Sequence, residues 1–132
     1  GSWHAPSLPT GLTLPRGNPK FFLGSDSAPH PRHLKECATA CAGVFTAPYL
    51  LPYLATLFER RGCLHRLADF VSTFGARFYG LPQQQRQVTL LRQPQVVKDE
   101  FPFGNDGAQP DGAVVPFWAG KQLDWTLAAS SK

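Results

Sequence analysis

The residues best placed to do chemistry sit together near the start of the chain. Lys20-Phe21-Phe22-Leu23-Gly24 runs into Ser25-Asp26-Ser27-Ala28-Pro29-His30. Three consecutive apolar residues followed by glycine suit a strand covered on both faces, as in a parallel α/β sheet. In such folds, ligands and catalytic groups collect at the C-terminal ends of strands. An acid at that place, Asp26, either binds a metal or moves a proton. Asp and Ser are also turn formers, so the plainer reading of Asp26 is a cap on the following turn. Further on, His30, His33, Cys37 and Cys41 carry donor types that suit zinc, but the spacing H-x₂-H-x₃-C-x₃-C is not that of a familiar zinc module. The plainer reading of the two histidines is as surface loop residues.

These groups need elements to position them. Phe21 to Gly24 is expected as the strand. Ser25 to Gly43 is then a loop longer than the ~12–15 residues at which loops are usually functional. A first helix is expected from Pro48 to Arg61, with proline in the first turn and Gly62 as its stop. Leu50, Tyr53, Leu54, Leu57 and Phe58 follow the spacing of one buried face. A second helix is expected from Leu64 to Phe74, burying Leu64, Leu67, Phe70, Val71 and Phe74, followed by a turn near Gly75 and a short helical or irregular piece ending at Gly80-Leu81-Pro82. Beyond Pro82 the pattern becomes β-like: a strand at Val88–Arg92, a loop from Phe101 to Gly112, and a hairpin pairing Val114–Phe117 with Gln122–Leu127. Residues 1–19 read as a Pro-rich extended arm, 20–82 as the strand, loop and helices, and 83–132 as a β-rich tail. Trp118 and Trp125 are expected to pack rather than to serve as ligand platforms.

Composition narrows the function classes. Apolar residues make up 42% of the 132 and aromatics 12%, enough for a core. The excess of 13 basic over 9 acidic residues gives +4, but the basic residues are scattered, so a nucleic-acid surface is not expected. The most apolar stretch, Val44 to Phe58, is too short to span a bilayer. No secretory signal is visible at Gly1–Pro6. Three cysteines, an odd number, argue against a disulfide framework and fit the cytoplasm or another reducing compartment, an organelle included if a targeting peptide is removed.

The loop motif also carries a family likeness. Gly24-Ser25-Asp26-Ser27-Ala28-Pro29-His30, Arg32-His33, Lys35-Glu36, Cys41-Ala42-Gly43-Val44-Phe45 and Ala47-Pro48 resemble the last barrel strand and following loop of dihydroorotases of the single-function bacterial, plant and fungal type. The likeness continues through Phe78-Tyr79-Gly80-Leu81-Pro82 to Val115-Pro116-Phe117 and Leu123-Asp124-Trp125. It implies a fold class: α/β, the C-terminal slice of a (β/α)₈ amidohydrolase barrel (last strand, long loop and two helices) with a small β-rich tail. A complete barrel needs ~250 residues, so this chain is not one.

The resemblance further implies reversible zinc-dependent hydrolysis of L-dihydroorotate to N-carbamoyl-L-aspartate in pyrimidine biosynthesis. Asp26 would then be general base and metal ligand. His30 and the backbone N–H of Ala42 would hold the substrate, and the small Ala42-Gly43 pair suits close approach of backbone to ligand. The family uses two zinc ions. Its His-x-His pair, lysine and further histidines have no match among His4, His30, His33 and His65. The chain alone is therefore expected to bind no zinc and to be inactive. A partner is expected over the open barrel edge: a complementary dihydroorotase fragment, or unrelated subunits if the chain is a non-catalytic structural or adaptor piece.

Overall fold

A computed structural model describes residues 16–104 and 112–128. Most of the expected N-terminal arm and part of the loop expected between Phe101 and Gly112 lie outside these residues. The chain divides into two compact units that interleave along the sequence. One holds residues up to Gly24 together with Leu54–Val88; the other holds Ser25–Tyr53 and the chain from Thr89 onward. Among the described residues there is no closed barrel.

Among the described residues the helical elements include α1 (Arg32–Lys35), α2 (Leu50–Arg60) and α3 (Phe74–Phe78), with 3₁₀ turns at Ala47–Tyr49 and Leu64–Arg66 and a π-helical stretch at Asp69–Thr73. Proline opens the first 3₁₀ turn, where its missing N–H costs nothing. α2 ends at Gly62, whose φ of 66° would strain a side chain. Cys63 N–H reaches back to the Phe58 carbonyl and Gly62 N–H to that of Glu59, the paired bonds of a Schellman cap. Tyr53 and Phe58 of the expected face are buried, but so are Ala55 and Thr56, while Leu50, Leu54 and Leu57 are only half-buried. The small side chains allow cover beyond a single stripe.

Two expectations fail in the unit containing Leu54–Val88. Phe21–Gly24 forms no strand, and Phe21 stays 48% exposed. A strand needs neighbouring strands to take its backbone groups. Here Leu23 N–H instead bonds the carbonyl of Phe70 in the π stretch, at 3.0 Å. Nor does the chain turn at Gly75. It stays helical to Phe78, because the missing side chain leaves room for the Phe22 ring, 3.3 Å from where a Cβ would stand. Phe22 also meets Phe78 and Tyr79 at ring separations of 5.2 and 5.9 Å. Phe78, Tyr79 and Leu81 remain more than 60% exposed. Cys63 is buried here, and that burial pushes its thiol pKa up.

The other unit is built on three antiparallel pairs. β1 (Leu90–Leu91) pairs with β6 (Thr126–Leu127), β2 (Gln95–Val96) with β5 (Gln122–Leu123), and β3 (Phe101–Phe103) with β4 (Gly112–Val114). Pro94 offers no N–H between β1 and β2, which splits one ladder into two. Gln95 and Thr126 side chains bridge the gap by donating to the Trp125 and Gln93 carbonyls.

The expected hairpin of Val114–Phe117 with Gln122–Leu127 is absent, and Phe101–Phe103 is strand rather than loop. The turn at Pro116–Lys121 does form, but its two arms pair elsewhere. Phe117 N–H bonds Phe45, and Gly120 N–H bonds Val97. Val97, Leu123 and Tyr53 make the buried cluster, with Tyr49 and Trp118 packed against it. Trp118 is thus a packing residue, as expected.

Tyr53 donates its hydroxyl proton to the Phe117 carbonyl. Burial, with Tyr49 adding to it, pushes the phenol pKa up to about 12. The raised value favours the neutral phenol in the folded state, so stability is full below pH 10 and falls as pH rises from 10 to 12. Chemical denaturation across that range should show wild type losing on the order of 2 kcal/mol more than Tyr53→Phe, a difference that vanishes if the hydroxyl is not held protonated.

Candidate active site

The candidate residues lie on two segments, 25–31 and 41–47, held side by side. Ser27 forms a parallel bridge with Val44, and Ala28 N–H bonds the Val44 carbonyl at 3.0 Å. Ser27 Oγ accepts the N–H groups of Thr46 (3.1 Å) and Ala47 (3.0 Å) at the start of the 3₁₀ turn. The serine thus ties the two segments together across 19 and 20 residues of chain.

Asp26 is exposed, with a φ of 42°. Left-handed backbone is uncommon outside glycine, although aspartate tolerates it better than most residues. Among the described residues its carboxylate takes no hydrogen bond or ion pair.

His30 stands between Pro29 and Pro31, which restrict its backbone to extended conformations. Its ring packs beside Gly43: Nε2 lies 3.4 Å from where a Cβ on Gly43 would sit. Gly43 has a φ of 121°, and that same Cβ would come within 2.6 Å of the Ala28 Cβ. Only glycine fits, so the backbone of 42–43 lies directly against 28–30. The sequence-predicted His30 and Ala42 are therefore brought together, with Ala42 exposed at the surface of the loop.

α1 closes the loop from the other side. Cys41 N–H bonds the Leu34 carbonyl. Lys35 Nζ donates to the carbonyls of Cys41 (2.6 Å) and Gly43 (2.7 Å). Charge-assisted bonds of this kind contribute about 1.5–3 kcal/mol each. Arg32 ties α1 to Glu100 at 2.9 Å, a half-exposed pair that contributes little. Lys35 and Ser27 gave no signal of their own in the sequence, since one lysine and one serine in a polar loop look like ordinary surface residues.

The zinc arrangement considered for His30, His33, Cys37 and Cys41 does not form. His33 and Cys37 are exposed, and Cys37 Sγ points to the Leu34 carbonyl at 3.5 Å. Among the described residues no three His, Cys, Asp or Glu side chains converge as a metal site. Asp26 offers one carboxylate, so these residues do not by themselves fit a two-zinc centre. No described helix is long and apolar enough to cross a membrane.

No family model matches the chain. It is 48% identical over 111 residues to a dihydroorotase of Alkalilimnicola ehrlichii, covering 84% of this chain and 31% of that protein. A dihydroorotase of Picosynechococcus is 44% identical over 112 residues, again 31% of its length. The fold superposes with a TM-score of 0.77 and 36% identity on dihydroorotase from Saccharomyces cerevisiae in complex with 5-fluoroorotic acid, over 87% of this chain and 32% of that one. The chain thus spans about a third of the length of the curated relatives it matches, and it is a homologue of their C-terminal part.

The tight approach at Gly43 is testable. Gly43→Ala should lower unfolding free energy by about 3 kcal/mol through backbone strain and the clash with Ala28. Gly24→Ala, which meets nothing within 4 Å, should change it by under ~1 kcal/mol. Equal effects in denaturant titrations would contradict the packing.

Proposed function

We propose that this homologue of the dihydroorotase C-terminal part supplies the acid–base residue and the carboxylate grip of a dihydroorotase site. The reaction is the reversible opening of cyclic L-dihydroorotate to N-carbamoyl-L-aspartate. Asp26 takes a proton from the attacking water as its oxygen bonds the ring carbonyl. It returns that proton to the ring nitrogen as the C–N bond breaks. One carboxylate serves both steps because the proton leaves and returns on the same group. His30 and the Ala42 N–H hold the substrate carboxylate.

One observation carries this reading: Asp26 keeps an exposed, unpaired carboxylate on left-handed backbone while its neighbour Ser27 holds the Thr46 and Ala47 N–H groups across the loop. Strain of that kind clusters at functional sites. A pyrimidine carboxylate such as 5-fluoroorotic acid, the ligand of the yeast protein, has the charge that an exposed N–H beside an imidazole would bind.

The remaining two-thirds of the barrel, on this polypeptide or another, completes the site. Zinc is a family property that the described residues do not accommodate alone. The exposed Phe78, Tyr79 and Leu81 fit a surface that the rest of a barrel covers. An unrelated assembly remains the alternative partner for that surface.

Mixing the chain with the N-terminal two-thirds of the Alkalilimnicola dihydroorotase provides the test. Dihydroorotate turnover should appear in the mixture and not with either part alone. Asp26→Asn should lower kcat about a thousandfold while 5-fluoroorotate binding persists. A mixture that stays inactive, or an unaffected Asp26→Asn variant, overturns the proposal.

A further inference from the structure

We propose that Lys35 is a positioning residue that aims the Ala42 N–H at the bound carboxylate. This role rests on the functional reading above. Three observations converge on it. Lys35 Nζ bonds two carbonyls of one tight segment, Cys41 and Gly43, at 2.6 and 2.7 Å. The described residues include no cis peptide bonds, and in a trans peptide the N–H points opposite to the C=O across the same plane. Drawing the Cys41 carbonyl toward Lys35 therefore turns the Ala42 N–H away from it. Finally, that N–H has no acceptor among the described residues, and Ala42 is exposed.

The ammonium also acts electrically. A cation on the carbonyl oxygen polarises the peptide and leaves its N–H a stronger donor, the cooperative effect of linked hydrogen bonds. Lys35 is half-buried, so water screens this effect less than at an exposed lysine. Gly43 admits no side chain: a Cβ there would stand 2.6 Å from the Ala28 Cβ and 3.4 Å from His30 Nε2. The donor and the imidazole are thus held close within the same loop, where one anion can meet both. Lys35 touches neither substrate nor reacting atoms; it works through the 41–42 peptide.

The experiment uses the 132-residue chain, labelled with ¹⁵N, mixed with the unlabelled N-terminal two-thirds of the Alkalilimnicola dihydroorotase and titrated with 5-fluoroorotate, followed by ¹⁹F and amide spectra. In wild type the probe should shift the Ala42 amide downfield. Lys35→Met should weaken binding about tenfold, the loss of roughly one aimed hydrogen bond, and abolish the Ala42 shift. Lys35→Arg, which can still donate to both carbonyls, should bring affinity back to within about threefold. Arg32→Met removes the same charge from α1 without touching the 41–43 segment, and binding should stay within about twofold. Unchanged Val97 and Leu123 amides report that the fold is intact in each variant.

Lys35→Met binding like wild type overturns the positioning role and leaves the functional reading standing. Arg32→Met weakening binding as much as Lys35→Met does the same, since net charge then explains the loss. A mixture with the wild-type chain that shows no binding of the probe strikes at the functional reading, and the positioning role falls with it.

Discussion

The candidate site depends on one short parallel contact, residues 27–28 against 44–47. A single serine oxygen takes two backbone N–H groups, and one main-chain bond from Ala28 fixes the register. From that contact the rest follows. It presses Gly43 against Ala28, forces a conformation only glycine adopts, and sets His30 beside the 42–43 backbone. It also delivers Phe45 to the segment around Phe117, tying the loop to the aromatic cluster of Tyr53 and Trp118. The loop is long but not slack, because its ends are closed by main-chain bonds and its middle by Lys35.

Much of this was legible where the determinants are local. The stop at Gly62 follows from glycine's access to positive φ, and α2 from the spacing of Tyr53 and Phe58. The Asp26 and His30 motif was legible as a pattern of residue types, and the likeness to dihydroorotases reappears in the comparisons over most of the chain. What failed was non-local. Phe21–Gly24 has the composition of a central strand, but composition cannot supply the neighbours that a strand needs, and the segment bonds a π turn instead. The hairpin expected across Ala119-Gly120 has its turn, yet Phe45 and Val97 compete successfully for its two arms. The turn expected at Gly75 reads glycine as a breaker, when here its missing side chain makes room for an aromatic ring.

The site residues show the same division. Ser27 and Lys35 matter through oxygens and nitrogens that come close only once the loop has folded back. A lysine whose partners are two carbonyls, six and eight residues ahead, leaves no trace in charge patterning or periodicity. Side chains that bind ligands have recognisable types; those that aim a backbone group can be of almost any polar type.

The interleaving of the two units bears on how the chain is made. Tyr53 and the carbonyl of Phe117 that accepts its proton lie 64 residues apart, with most of the other unit encoded between them. At 5–20 residues per second a ribosome takes about 3–13 s to add that stretch. During those seconds the loop bearing Asp26, His30 and Lys35 has been made without the strands that brace it, and the aromatic residues that follow it lack their partners. The loop carrying Asp26 and His30 is the first part of its unit to be synthesised, and its partners in that unit come last.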